Sequence, residues 1–160
     1  MISESTGLES WKTAIGAANN AFIHGQARQA LELYQTALAM AKASVSDIIT
    51  KASPKAAAIE IERCLAALVV TQHNLADLLG QSDRLDEASF HLCAAHEYLF
   101  QLRHHPDVGL GIIAQRHLKI TYRELIIFVQ RHGPHKRITE SLLLTQYLCD
   151  SCRQKGNFMN

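Results

Sequence analysis

One spacing of small residues occurs twice in this chain, and it leaves few folds open. Ala18, Ala30 and Ala37 are separated by twelve and then seven residues, and Ala76, Ala88 and Ala95 repeat both intervals. Around the second set, Leu75, Ala76, Leu78 and Leu79 share one face at the helical period of 3.6 residues. After a turn at Gln81–Asp83, Leu85, Ala88, Leu92 and Ala95 do the same. Side chains as small as alanine let two antiparallel helices approach closely, so each set reads as a helical hairpin.

The remaining helices follow from start and stop signals. Thr6 and Glu9 have capping-box spacing, so a first helix starts at Gly7 or Leu8 and runs to about His24. Gly25 punctuates it, and a second helix starts at Gln26 or Ala27 and continues to about Lys51. Ser53 and Pro54 supply an N-cap and a first-turn proline for a third, whose apolar pattern runs through Ile59, Ile61, Cys64, Leu65, Leu68 and Leu75 to Gly80. The fourth spans about Arg84 to Arg103 and stops at His104-His105-Pro106. Asp107 caps the fifth, which ends at Gly133-Pro134, and the sixth covers about His135 to Arg153 with Ile138, Leu142, Leu144, Tyr147 and Leu148. Leu125-Ile126-Ile127-Phe128-Val129 covers every face of the fifth helix, so that helix is either enclosed by neighbours or part of an oligomer contact. No strand pattern interrupts the series. The expectation is an all-α single domain over residues 1–160, six helices in three antiparallel hairpins, with loose ends at 1–6 and 154–160.

Two segments resemble tetratricopeptide (TPR) units. In Leu8–Lys42 the resemblance is carried by Ala21-Phe22-Ile23-His24-Gly25 at the turn, then Ala30, Tyr34 and Ala37. In Val69–Leu99 it is carried by Asn74-Leu75-Ala76-Asp77-Leu78-Leu79, a short turn and Leu85-Asp86-Glu87-Ala88. The resemblance implies a right-handed superhelical stack that acts by binding a protein or peptide. The two units lie 58 residues apart, from Ala30 to Ala88, against a family period of about 34. The extra residues read as lengthened second and third helices, since long structureless loops are uncommon in compact domains. The last hairpin lacks the small residues, as a terminal capping pair does.

In TPR proteins the first helix of each hairpin lines a concave groove, which here would place Asn19, Phe22, Ile23, His73, Asn74 and Asp77 along it. Phe22 and Ile23 would act as anchors at one end. One TPR subclass grips a C-terminal carboxylate with Asn and basic side chains. By that likeness Asn19 and Asn74 match its asparagines, and Lys119 and Arg123, one turn apart on the fifth helix, would supply cations. The chain departs from that pattern at Ile15, where the subclass has Lys. A buried carboxylate requires such donors, and each charge-assisted bond contributes about 1.5–3 kcal/mol. The plainer alternative is that both asparagines bond between helices and the cations are solvated.

Composition narrows the other classes. Hydrophobic residues make up 48% and charged residues 19%, which is globular rather than disordered. The net charge of +1 gives no broad footprint for nucleic acid. The N-terminus has neither the basic nor the apolar region of a signal peptide, and no apolar run spans a membrane. A cytoplasmic protein with four reduced cysteines is the expectation. Cys93 with His96, and Cys149 with Cys152, each share a helical face and together offer four soft ligands to zinc or a redox-sensing set. The competing reading makes these cysteines small buried hydrophobes. His104-His105 and the run Arg131 to Arg137 form basic tips that fit solvated helix ends, with RNA or an acidic partner as the alternative. Trp11 fits the core. No phosphate loop, zinc-protease motif or nucleophile elbow points to an enzyme, and no cofactor is implied. A homodimer through the fifth and sixth helices stays open beside the peptide-binding reading.

Overall fold

The apolar periodicity resolves into six α-helices in the computed structural model, which describes the backbone of residues 6–51 and 57–156 and the side chains of 7–51 and 58–146. They are α1 (Thr6–Ile23), α2 (Ala27–Lys51), α3 (Ala57–Gln81), α4 (Leu85–Leu102), α5 (Val108–His132) and α6 (Lys136–Gly156). The expected cap at Ser53-Pro54 and the outermost residues at each end, 1–5 and 157–160, lie outside the described residues. The second and third helices are each 25 residues long, as the 58-residue offset requires.

That offset reappears in the backbone of the turns. After α1, Gly25 takes φ 72° and the N–H of Gln26 reaches back to the Ala21 carbonyl at 2.9 Å. After α3, Asp83 takes φ 58° and the N–H of Arg84 reaches back to the Leu79 carbonyl at 2.9 Å. Each bond closes the terminal carbonyls of its helix around one left-handed residue. Glycine adopts that conformation freely, and Asp is among the few side-chain-bearing residues that tolerate it. The next helix then restarts with Ala30 bonded to Gln26 in one unit and Ala88 to Arg84 in the other.

The small residues do what their spacing required. Ala18, Ala30, Ala37, Ala76, Ala88 and Ala95 are all buried where helices meet. The odd-numbered helices lie side by side, α1 against α3 and α3 against α5, with α2 behind the first pair and α4 behind the second. The core runs continuously through Tyr34, Leu65, Leu75, Leu79, Leu99 and Leu125. Trp11 belongs to its edge, donating from Nε1 to Thr71 Oγ1 at 2.9 Å.

Three local details differ from the sequence expectation. Helix α1 begins at Thr6, and Glu9 accepts from Lys12 at 2.7 Å. Helix α4 begins after Arg84, which gives no side-chain cap, whereas Asp107 caps α5 as expected by accepting from the Leu110 N–H at 3.2 Å. The third hairpin is splayed: among the described residues, α6 packs chiefly on α4 and only sparingly on α5. Its attachment combines apolar and polar contacts: Ile138 is buried in the core, Arg137 donates two bonds to Glu97, at 2.7 and 2.9 Å, and the Cys93 thiol points to the Arg137 carbonyl at 3.6 Å. Those two bonds from Arg137 hold the Glu97 carboxyl below its usual range. The chain covers the apolar run on α5 only in part: Leu125 and Phe128 are buried, and Ile126, Ile127 and Val129 are half-buried.

Candidate functional site

The packing of α1 on α3 brings the two asparagines together. Tyr34 Oη donates to Asn19 Oδ1 at 2.7 Å, and Asn74 Nδ2 donates to the same oxygen at 3.1 Å. Asn19 therefore spends its carbonyl inside the fold, half-buried, rather than facing a ligand. Phe22 packs edge-on against the Tyr34 ring, 6.4 Å between centroids, so it belongs to the core margin rather than to an open groove. Burial raises the Tyr34 phenol above its ordinary value, and the neighbouring Asp77 carboxylate adds to the effect. Ile23 stands at the end of α1, 80% exposed. Removing the hydroxyl with Tyr34→Phe is expected to cost about 1 kcal/mol. Urea denaturation monitored by circular dichroism measures it, and an unchanged midpoint would show that the Asn19–Asn74 bond alone fixes the two helices.

The expected cations are elsewhere. Glu62 on α3 accepts from Arg116 at 2.6 Å and pairs with His117 at 2.7 Å, while Asp77 faces Arg131 at 3.6 Å. These pairs show the register of α5 along α3, which sets Asn74 level with Phe128. At 1.5 Å per residue, Arg123 and Lys119 then lie roughly 8 and 14 Å back along α5. Both are exposed. The structure thus does not assemble a single carboxylate clamp from Asn19, Asn74, Lys119 and Arg123.

What the register does assemble is a cleft of about 60 Å³ between the C-terminal halves of α3 and α5. That is room for two waters or the tip of one side chain. Ala76, Leu92 and Phe128 give it an apolar floor, and Asp77, Glu124, Arg131 and His132 stand around it. His132 packs against Phe128 with centroids 4.7 Å apart. It does so beside Gly80, where an added Cβ would already touch Nε2 at 3.4 Å. Burial raises the Asp77 carboxyl above its ordinary range, against the opposing pull of Arg131 and His132. Of the cleft residues only Asp77 was legible beforehand. Arg131 and His132 read as a solvated basic tip, and only the α3–α5 register shows that they turn back over α3.

A protein-family model described as a protein of unknown function, DUF2753, matches residues 9–158. The chain belongs to the DUF2753 family. No curated protein and no solved structure matches it.

The buried histidines of this DUF2753 protein differ in how far their ring nitrogens are satisfied. His96, 2% exposed, sits with Nδ1 at 2.9 Å from Thr121 Oγ1 and Nε2 at 3.3 Å from Thr145 Oγ1. Both ring nitrogens meet hydroxyls, and burial lowers its pKa to about 4. Cys93 is buried one helical turn away, its thiol raised by the same desolvation. Cys149 and Cys152 lie on α6 beyond the described side chains, and no group of three potential metal ligands occurs among the described residues. His73 is half-buried beside Asn74, its Nε2 has no hydrogen-bond partner, and burial lowers it to about 4 as well. Among the described residues, no helix of the DUF2753 chain is long and apolar enough to cross a membrane.

Proposed function

We propose that the protein is an interaction module that binds a peptide or helix of a partner protein across the odd-numbered helices. The observation that carries this reading is the α3–α5 cleft, an apolar floor under a rim of both charge signs. Such a site takes one apolar side chain of a partner and orients the flanking backbone through Asp77, Glu124 and Arg131. It departs from the terminal-carboxylate mode because the asparagines are bonded to each other. The TPR resemblance supports the same mode of action.

Affinity capture with quantitative mass spectrometry tests it, comparing the wild type with Gly80→Met and Arg131→Glu. The first places a side chain over the cleft and the second reverses one side of its rim. A protein retained by the wild type and depleted at least tenfold with each variant is the expected result. Equal retention by all three would remove the cleft from the binding site.

A further inference from the structure

Helix α5 has a second face whose chemistry the cleft does not use. At 100° per residue, Val108, Ile112, Lys119, Tyr122, Arg123 and Ile126 fall within a sector of about 100°, turned away from the buried Leu110, Ala114, His117, Thr121, Leu125 and Phe128. Val108 is 73% exposed, Ile112 56% and Tyr122 52%, and Ile126 is half-buried. From Val108 through Ile112, Lys119 and Tyr122 to Ile126 the steps are 4, 7, 3 and 4 residues, with exposed Gln115 on the same face inside the longest step, and that spacing suits the face to another helix. The helix carries Arg116, Lys119, Arg123 and Arg131 against the single carboxylate Glu124. Arg116 is matched by Glu62 and Arg131 by Asp77. Lys119, near the middle of the seam, and Arg123, toward its C-terminal end, are exposed and make no ion pair or side-chain hydrogen bond with the described residues.

We infer that this seam docks an acidic amphipathic helix of another protein, its apolar side chains against Val108, Ile112, Tyr122 and Ile126 and its carboxylates on Lys119 and Arg123. Charge complementarity selects that occupant. A second copy is less well matched: an antiparallel two-fold pairing of Val108 with Ile126 and Ile112 with Tyr122 centres near residue 117 and brings the Lys119 of each subunit to about 6 Å from the other along the helices, with no carboxylate in the seam to offset them. A membrane surface is also less well matched, because the cations sit among the apolar residues of the seam rather than on a separate polar face. The inference shares with the proposal above the premise that the domain works by binding, but it uses a different surface.

The test displays 25-residue segments tiled across the source proteome and selects them on the full-length protein. The selection is repeated on Lys119→Glu/Arg123→Glu and on Gly80→Met, with circular dichroism confirming that each variant folds. Both cations are exposed, so their reversal leaves the core intact. The expected outcome is enrichment of acidic segments with apolar residues at helical spacing, weakened at least tenfold by the double charge reversal and unchanged by Gly80→Met. Segments lost only with Gly80→Met would overturn the seam and leave the cleft standing. Segments kept by both variants, or none enriched at all, would overturn it too. Co-sedimentation of the wild type with vesicles containing 30% phosphatidylserine, abolished by the same charge reversal, would replace the helix with a membrane surface.

Discussion

Lowering the pH from 7.5 to 5 is expected to cost the fold several kcal/mol, chiefly through two histidines. His73 and His96 each fall from an ordinary value near 6.5 to about 4 because burial disfavours the charged ring. Between those two values the unfolded chain binds protons that the native state does not, so native stability is complete above pH 6.5 and declines as the pH falls toward 4. By pH 5 the loss is on the order of 2 kcal/mol for each ring. Against a total of about 5–15 kcal/mol for a typical domain, that is a large share. His91 is lowered in the same sense by burial and by Lys42, so it adds to the loss. Asp77, raised by burial, acts in the opposite direction as the pH falls through the carboxylate range. Urea unfolding at pH 7.5 and 5 measures the difference. In His73→Gln/His96→Gln the baseline will be lower, because the Thr121 and Thr145 hydroxyls lose their ring partner, but the pH difference is expected to shrink by more than half. A difference as large as in the wild type would place the titration in other groups.

The second large effect concerns the corner between α4 and α5. Gly111 is buried, and a Cβ there would stand 2.9 Å from the Arg103 carbonyl oxygen. The obstacle is backbone at the end of α4, so no side-chain rotation can relieve it. Gly111→Val is expected to lose about 2–3 kcal/mol through overpacking, lowering the melting temperature by roughly 4–12 °C. Gly16 is the internal control: it is exposed within α1 and nothing lies within 4 Å of a Cβ added there. Gly16→Ala is expected to gain about 0.5–1 kcal/mol, since only the helix propensity changes. Differential scanning calorimetry of the two variants separates close approach from propensity. Equal effects would mean that the α4–α5 corner shifts freely to accommodate a side chain.

How much of the molecule was legible in advance depends on the range over which each feature is decided. Helix limits are set by local chemistry, and they agreed with the sequence reading to within a residue or two at Gly25, Asp107 and Gly133. The Ala18/Ala30/Ala37 and Ala76/Ala88/Ala95 spacing carried the two hairpins because close helix approach needs small side chains at fixed intervals. Tyr34 was visible only as an aromatic position; that its hydroxyl would occupy Asn19, and so withdraw that asparagine from ligand binding, depends on where α2 lies against α1. The position of α6 on α4 likewise involves partners far apart in the chain, buried Ile138 and the Arg137–Glu97 pair 40 residues apart.

The sequence by itself determined six helices, their order and the two matching turns, because propensity, capping and apolar period act within a few residues of each other. Only the tertiary structure decided the site. Apolar periodicity says which face of a helix is buried but leaves free how far one helix slides along another that is not its neighbour in the chain. The Glu62–Arg116, Glu62–His117 and Asp77–Arg131 pairs mark that offset between α3 and α5. With it fixed, Asp77 and Arg131 meet over the cleft, while Lys119 and Arg123 are left on the open face of α5.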